Sequence, residues 1–331
     1  MKVLLTGSDG FIGSHLAEGL VRAGHDVTAL VIYNSLDSWG WLDSAPKEIT
    51  SQMKIVAGDV RDPAQMMELV RGQDAVLHLA ALIAIPFSYH APDLYVQTNV
   101  QGTLNLLNAA RAAGVSRFIH TSTSEVYGTA RYVPMDEAHP LQGQSPYSAS
   151  KIGADQMVNA FYTSFGLPAV TVRPFNTFGP RQSARAVIPT IISQLAAGKQ
   201  EIMLGALDPT RDFTYVSDTV GGFISALESD KGAGEVVNLG VSFEVSIGDT
   251  FNAIAKIMGS SAVATEDPQR VRPANSEVER LFSNNSKAKE LFGWQPELAG
   301  LDGFAVGLER TVDWFTKPEN LARYRVDTYV V

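Results

Sequence analysis

Three evenly spaced glycines near the start of the chain constrain its fold more than any other feature. Gly7, Gly10 and Gly13 follow a short apolar run at residues 3–5 and precede apolar residues at helical spacing. Such a run is typical of a buried parallel strand. Strand, glycine turn and helix together can hold a dinucleotide, because the backbone approaches the pyrophosphate and the helix N-terminus offers it free N–H groups. The spacing is not the Gly-x-Gly-x-x-Gly of most dehydrogenases, so an incidental glycine-rich turn stays open as an alternative.

Composition and charge exclude several classes of function. The 331 residues suit one large domain or two coupled ones, and the formal net charge is −9. No basic block is present, so nucleic acid is not an expected partner. The absence of cysteine excludes disulfides, thiol catalysis and cysteine-bound metals, and we predict no metal site. No apolar run is long enough to span a membrane and the first predicted strand leaves no room for a signal peptide, so we expect a cytoplasmic protein without a membrane partner.

The predicted second strand, residues 27–32, ends without the acid that usually binds the ribose of NAD. It also lacks an arginine for the 2′-phosphate of NADP. Asn34 or Ser35, which follow it, either bind the ribose or cap the turn. The predicted third strand ends at Asp59, which either binds the adenine amino group or caps the next helix.

The predicted fourth strand, residues 75–81, ends in small residues that leave room for a ligand at the edge of the sheet. We expect His78, inside this strand, to be a packed core residue, since buried histidines are common. A fifth strand is predicted at residues 116–122, and a continuous helix at 93–113 precedes it.

A tyrosine and a lysine occupy one face of a predicted long helix that ends at Phe165. Tyr147 and Lys151 are four residues apart, so their side chains are neighbours. Alone, such a pair is common on surface helices. Here Thr123 follows the fifth strand, and the glycine turn is also present. The combination of these features argues against a chance pair on a surface helix.

These residues resemble the extended short-chain dehydrogenase/reductase family, most of whose members act on nucleotide-activated sugars. Further matching motifs are the Asp59-Val60 pair, residues 78–81, Asn99 in an Asn-Val-x-Gly-Thr run, residues 173–176 and residues 211–216. The resemblance implies an α/β fold with a Rossmann-type doubly wound parallel sheet and a smaller, discontinuous α/β substrate domain. The expected boundaries are 1–175 for the NAD-binding domain, to which about 212–242 return, and 176–211 with 243–331 for the substrate domain.

The resemblance also implies the composition of the site. The cofactor is NAD rather than NADP, the substrate is a nucleotide-diphosphate sugar, and the protein is a homodimer formed through the helices at 94–113 and 147–165. The implied catalytic residues are Thr123, Ser124, Glu125, Tyr147 and Lys151. The implied cofactor-binding residues are Gly7, Gly10, Phe11, Ile12, Gly13, Asn34, Ser35, Asp59, Val60, Leu79, Ala80, Ala81, Asn99, Tyr147 and Lys151. The implied substrate-binding residues are Asn176, Arg185, Val187, Arg211 and Arg272.

The chemistry of such a site depends on the protonation state of Tyr147. A free tyrosine has a pKa of about 10 and is a poor base at neutral pH. A lysine ammonium one turn away, together with an oxidised nicotinamide, is expected to favour the phenolate. Tyr147 would then remove a proton from a sugar hydroxyl that Thr123 orients.

The Ser124-Glu125 pair favours a 4,6-dehydratase, in which Glu125 would remove the C5 proton once C4 is a ketone. Residues 33–43 and 121–130 look most like the GDP-N-acetylglucosamine 4,6-dehydratases of legionaminic acid pathways. The Thr-Ser-Glu-Val-Tyr-Gly run at residues 123–128 also occurs in UDP-glucuronate decarboxylases. A C4 epimerase, a decarboxylase and a non-catalytic nucleotide-binding scaffold therefore stay open as alternatives to an NAD-dependent nucleotide-sugar 4,6-dehydratase.

Overall fold

The computed structural model describes residues 1–268, 270 and 276–324. The strands are β1 (Lys2–Thr6), β2 (Asp26–Ile32), β3 (Met53–Gly58), β4 (Ala75–His78), β5 (Arg117–Thr121), β6 (Ala169–Pro174), β7 (Asn176–Phe178), β8 (Glu201–Leu204), β9 (Thr210–Arg211), β10 (Phe213–Tyr215), β11 (Val236–Leu239), β12 (Val245–Ser246) and β13 (Val263–Glu266). The helices are α1 (Phe11–Arg22), α2 (Lys47–Thr50), α3 (Pro63–Val70), α4 (Ile85–His90), α5 (Pro92–Tyr95), α6 (Gly102–Ala113), α7 (Pro146–Phe165), α8 (Val187–Ala196), α9 (Val216–Glu228), α10 (Ile247–Ile257), α11 (Ser286–Phe292), α12 (Gly300–Phe315) and α13 (Pro318–Leu321).

Seven parallel strands form the central sheet, in the order β11-β6-β5-β4-β1-β2-β3. The chain order reverses between β1 and β4, which places a crevice beyond the carboxyl ends of these two strands. This is the doubly wound Rossmann-type sheet that the sequence predicts, so the predicted fold class is confirmed. The edge strand β11 pairs with β6.

Alternating side chains of the strands fill two cores, one on each face of the sheet. Val3 and Leu5 of β1 pack on the face covered by α1 and α9, whereas Leu4 packs on the face covered by α3, α6 and α7. All three side chains are fully buried. Burial on both faces explains why β1 reads as an unbroken apolar run in the sequence.

The remaining elements form a smaller layered region beside the sheet. It contains α8, α10 and α12 with three two-stranded pairings, β7 with β10, β9 with β12 and β8 with β13. Ser246 caps α10 by accepting a hydrogen bond from the Asp249 N–H at 2.9 Å, as the sequence predicts. The boundaries of the two domains remain a prediction.

The helix predicted at residues 93–113 is present, but it is not α-helical throughout. The structure has α5, then a π-helical turn over Val96–Gln101, then α6. Such turns are frequent at functional sites. Among the residues that the structure describes, no helix is long and apolar enough to cross a membrane.

Candidate active site

The glycine turn between β1 and α1 has no room for side chains at two of its three glycines. Gly7 has a φ of +73°, and a Cβ there would lie 2.8 Å from the backbone nitrogen of Ala80. A Cβ on Gly13 would lie 2.0 Å from the carbonyl oxygen of Gly7. Gly10 is the N-cap of α1, and no side chain of the described residues caps this helix. The first turn of α1, with Phe11 and Ile12, therefore offers its N–H groups to an anion such as a pyrophosphate.

The end of β4 forms the other wall of this crevice. The Thr6 hydroxyl accepts hydrogen bonds from the N–H groups of Leu79 (3.2 Å) and Ala80 (3.1 Å). Leu79, Ala80 and Ala81 are only partly buried. The side chains of Ala80 and Ala81 are small and leave this end of the strand open. The bare turn and the open strand end fit a dinucleotide, so the residues present fit the predicted cofactor.

His78 is a buried core residue, as predicted. Its ring lies between the hydroxyls of Thr6 (2.8 Å) and Thr103 (3.0 Å). Burial lowers the pKa of this imidazole well below its usual range, and the nearby His120 lowers it further. The ring is therefore neutral and holds β4 against β1 and α6.

The loop after β2 closes on itself. The Asn34 side-chain oxygen accepts hydrogen bonds from the N–H groups of Leu36 (3.0 Å) and Ser38 (3.3 Å), and its amide nitrogen donates to the Ser38 carbonyl at 2.7 Å. Ser35 is exposed. Of the two alternatives for Asn34, the geometry favours the turn cap. A ribose contact from Asn34 or Ser35 stays a prediction.

Asp59 does not cap the following helix. Its carboxylate pairs with Arg61, at 2.5 Å from the guanidinium Nη2, and the Arg61 hydrogen bonds lower the pKa of the Asp59 carboxyl. Asp62 is the residue that caps α3, accepting from the N–H groups of Ala64 (2.9 Å) and Gln65 (3.2 Å). The capping alternative for Asp59 is therefore wrong, because the carboxylate three residues later is the one placed at the helix N-terminus. Val60 is buried, and its carbonyl accepts from Asn105.

Asn99 connects the segment after β4 to the helix that carries Tyr147. Its side chain pairs with both backbone groups of Leu82, at 2.8 and 2.9 Å, and donates to the Ser150 hydroxyl at 2.9 Å. The π turn directs the buried Asn99 inward. These bonds give Asn99 a supporting place beside the crevice, and a direct contact with the cofactor stays a prediction.

The start of helix α7 is fixed by its N-cap residue and by a proline in its first turn. The Ser145 hydroxyl accepts a hydrogen bond from the Ser148 N–H at 3.1 Å, and Pro146 occupies the first helical position. The helix ends at Gly166, which adopts the left-handed conformation. This start places Tyr147 in the first turn of α7, facing the end of β5.

Thr123 interacts with both Tyr147 and Glu125. The hydroxyls of Thr123 and Tyr147 share a hydrogen bond, and burial first, then the negative charge of Glu125, raises the pKa of Tyr147. Thr123 also accepts the Glu125 N–H at 3.2 Å, which opens the 3₁₀ turn Ser124–Tyr127. Ser124 is buried within that turn. Three of the five predicted catalytic residues therefore interact with one another beyond the carboxyl end of β5.

The protonation of Tyr147 depends on its burial and on the cofactor. Burial, more than any other cause, raises the pKa of Tyr147 above its usual value. Burial also lowers the pKa of Lys151 to about 8, and the Lys151 ammonium donates to the Thr121 carbonyl at 2.5 Å. Both groups lie in a dry environment that penalises their charged forms. The phenolate expected from the lysine ammonium together with an oxidised nicotinamide therefore stays a prediction.

Two residues near the catalytic pair were missed in the sequence. Tyr95 is fully buried, donates to the Ala84 carbonyl at 2.5 Å and places its ring edge against Tyr147, with centroids 6.3 Å apart. Asp155 is buried one helical turn beyond Lys151. The spacing from Lys151 to Asp155 was a usable signal, because residues four apart on a helix share a face.

The predicted substrate residues lie along the segments beyond β6. The Asn176 backbone N–H donates to the Asp212 carbonyl at 3.0 Å, while its side-chain oxygen is buried with no hydrogen-bond partner among the described residues. Arg211 pairs with Glu277 at 3.2 Å. Arg185 is exposed; burial raises the pKa of Tyr95, and the positive charge of Arg185 acts against that rise. Val187 begins α8, and Arg272 lies outside the described residues.

Comparison with known proteins covers nearly the whole chain. The profile of the GDP-mannose 4,6 dehydratase family matches residues 4–305. The chain belongs to this family. Similar curated proteins include a UDP-glucose 4-epimerase of Mycolicibacterium smegmatis, which is 33% identical over 95% of this chain and 98% of its own length. A UDP-N-acetyl-alpha-D-glucosaminuronate decarboxylase of Bacillus cytotoxicus is also 33% identical, over 96% of this chain and 99% of its own length.

A solved structure agrees with the same assignment. A double mutant of dTDP-glucose 4,6-dehydratase from Streptomyces venezuelae, crystallised with NAD and a second ligand, has a TM-score of 0.86 and 29% identity over 97% of this chain and 98% of that one. The predicted membership of the extended short-chain dehydrogenase/reductase family is confirmed. The chain is therefore an enzyme of this family. Its relatives include epimerases, dehydratases and a decarboxylase.

Proposed function

We propose that this family member is an NAD-dependent nucleotide-sugar 4,6-dehydratase. The observation that carries the proposal is the interaction of Glu125 with the predicted C4 site: its negative charge acts on Tyr147, and its N–H donates to the Thr123 hydroxyl. A C4 epimerase needs only the proton transfer at C4. A second acid–base group at the same point supports a reaction that also removes a proton from the neighbouring carbon.

Each predicted catalytic residue has a separate role in the proposed reaction. When bound, NAD would supply reversible hydride transfer, taking hydride from C4 and giving it back at C6 with no net oxidation. Tyr147 removes the proton of the C4 hydroxyl, and Thr123 orients that hydroxyl. Glu125 removes the C5 proton, which the C4 ketone has made acidic, and delivers it to the C6 hydroxyl, which leaves as water. C5 takes up a proton again when C6 receives the hydride. The buried surroundings of Tyr147 strengthen each of these electrostatic interactions.

The substrate is a nucleotide-diphosphate sugar. The whole protein is acidic, so an anionic diphosphate needs local cations, and the family resemblance assigns Arg185 and Arg211 to this task. The buried, unpartnered oxygen of Asn176 supports a donor group on the substrate, such as a sugar hydroxyl or amide. We propose GDP-N-acetylglucosamine or a related nucleotide hexose, on the likeness of residues 33–43 and 121–130 to such dehydratases.

The test begins with the purified protein and a panel of GDP-, UDP- and dTDP-sugars, with product masses as the readout. Loss of one water from a hexose supports the proposal, and the responding nucleotide identifies the base. Unchanged mass with a new stereoisomer would show an epimerase, and loss of carbon dioxide from a uronic acid would show a decarboxylase.

A variant then tests the role of Glu125. We expect Glu125→Gln to lose dehydration by about 10²-fold or more, because removal of a general base costs that much. The same variant should still reduce its bound NAD when substrate is added, since oxidation at C4 uses Tyr147. Glu48→Gln, at an exposed carboxylate outside the predicted site, is the control and should retain the dehydration of the wild type. Full dehydration by Glu125→Gln would remove this carboxylate from the mechanism.

We also propose that the enzyme works as a homodimer in the cytoplasm, formed through α6 and α7. Support comes from the family resemblance and from exposed apolar side chains beside these helices, Val96 and Phe165. Sedimentation of the purified protein measures the dimer directly. Phe165→Glu should shift the population to monomer, and an unchanged dimer would move the interface elsewhere.

A further inference from the structure

A buried hydrogen-bond network surrounds Asp155, on the face of the sheet that carries the catalytic helix. The Asp155 carboxylate accepts hydrogen bonds from His120 Nε2 (3.1 Å), Ser122 Oγ (2.8 Å) and Arg173 Nη2 (2.8 Å). Asp155, His120, Ser122 and Arg173 are at most 5% exposed. One side chain therefore ties α7 to the carboxyl ends of both β5 and β6.

This network encloses the contact that holds Lys151. His120 and Ser122 are the residues on either side of Thr121, and the Thr121 carbonyl accepts the Lys151 ammonium proton at 2.5 Å. Asp155 therefore fixes the strand segment that presents this carbonyl. The same segment leads directly into Thr123, so the register between Thr123 and Tyr147 depends on the same bonds.

We propose that Asp155 is a positioning residue of the reaction, which keeps the Lys151 ammonium both in place and charged. The inference rests on Lys151 taking part in the proposed reaction. Asp155 itself touches neither the predicted substrate nor the predicted cofactor site, so it acts through Thr121 and through its own negative charge.

The charges around Lys151 agree with this role. The charged or titratable groups that face it are Tyr147 and Asp155 on α7, His78 on β4 and His120 on β5, with Arg173 on β6 behind Asp155. Burial lowers the pKa of Lys151 to about 8, and Asp155 is the group that raises it. Both histidines have lowered pKa values and are neutral, so the Asp155 carboxylate is the nearby charge that keeps Lys151 protonated.

Direct titration of Lys151 tests the proposal without any substrate. The protein is labelled with ¹³C-lysine, the Lys151 resonance is assigned by its loss in Lys151→Arg, and its shift is followed against pH. We expect the midpoint to fall by about one pH unit or more in Asp155→Asn, because a buried counter-charge is lost. An unchanged midpoint would overturn the proposal. This readout fails or succeeds independently of which sugar the enzyme uses.

A matched control separates the charge effect from general destabilisation. Asp218 is another buried carboxylate, which accepts the N–H groups of Glu297 and Leu298 at 3.0 Å each. Asp218→Asn should lower the melting temperature and leave the Lys151 midpoint in place. An equal fall of the midpoint in both variants would overturn the positioning role.

The cavity beside Asp155 allows a rescue experiment. A cavity of about 260 Å³ is lined by Asp155 and Arg173 and reaches the exposed residues Tyr162 and Glu235. Its volume admits a small carboxylate. In Asp155→Ala, formate should bind against Arg173 and raise the Lys151 midpoint again, whereas chloride at equal ionic strength should not. A midpoint that formate leaves unmoved would count against the proposal.

Discussion

The two ends of the predicted cofactor crevice are built by opposite means. At the catalytic end, Tyr147 and Lys151 are 7% and 4% exposed, and their contacts come from segments far apart in the chain. At the loop after β2, Tyr33 and Leu36 are 74% and 83% exposed, and the hydrogen bonds of Asn34 stay within four residues. The catalytic end is thus fixed by the packing of the whole fold, and the loop by its own turn.

This difference has an electrostatic consequence. In the dry catalytic end, each charge has a strong effect on its neighbours, so one substitution changes the chemistry of several groups. In the exposed loop, water screens the same interactions. The effect of substitutions should therefore decrease from the catalytic end to the loop.

The largest effect is expected for Tyr147→Phe. Loss of the phenolic hydroxyl removes the proton acceptor at C4, and we expect turnover to fall by about 10³-fold or more. The ring remains to pack against Tyr95, so stability should change little. The measurement is reduction of bound NAD on addition of the responding nucleotide sugar.

Tyr95→Phe is the matched control for that variant. It removes only the hydrogen bond to the Ala84 carbonyl, and the ring contact is kept. Turnover should stay within a few-fold of the wild type. Normal turnover in Tyr147→Phe would contradict the prediction that substitutions at the buried catalytic end have the largest effects.

Gly13→Ala should produce the next largest effect. A Cβ at this position would lie 2.0 Å from the Gly7 carbonyl oxygen, so the turn and helix must separate. We expect a loss of about 3 kcal/mol in the free energy of unfolding, as for other overpacked sites, together with weaker NAD binding. Urea unfolding and titration with NAD measure the two effects.

Gly19→Ala lies on the same helix and is its control. There the new Cβ would meet a side-chain methyl of Val220 at 2.9 Å, where α1 packs on α9 rather than at the glycine turn. The control should bind NAD as the wild type does. Equal loss of NAD affinity in both variants would show that α1 as a whole, rather than the turn, governs binding.

His15, a partly buried residue of α1, gives the stability of the fold a dependence on pH. Burial first, and then the charge of Arg181, lower the pKa of His15 to about 4. The unfolded chain therefore binds more protons than the folded chain between about pH 6.5 and pH 4, and stability is lost as the pH falls through that window. The neutral ring contacts the Pro180 carbonyl at 3.0 Å.

We expect the His15 contribution to fall by about 2 kcal/mol between neutral pH and pH 5. Measured by urea unfolding, the free energy of unfolding of His15→Gln should fall by about 2 kcal/mol less than that of the wild type between neutral pH and pH 5. His90→Gln, at an exposed histidine, should keep the acid loss of the wild type. The same acid loss in His15→Gln as in the wild type would exclude His15 as its source.

Local patterns predicted the parts of the molecule that depend on local spacing. The glycine turn, the apolar strands and the shared face of Tyr147 and Lys151 are all readable, because each depends on a few consecutive residues. The partners of Asp155 were not readable, since His120 and Arg173 reach it only through the sheet. The cap at Asp62 instead of Asp59, and the raised pKa of Tyr147, likewise depend on geometry that no local pattern contains.

The smallest effect is expected for Asn34→Ala. This substitution lies in the loop after β2 and tests whether that loop contributes less to the site than the buried catalytic end. The side chain closes its own turn through Leu36 and Ser38, so its loss should cost about 1 kcal/mol in stability, as for a lost cap. NAD affinity, measured by titration, should fall only a few-fold, and Ser35→Ala should change it less. A loss of affinity above tenfold with unchanged stability would instead make Asn34 a ribose ligand, and the loop would then be part of the preformed site.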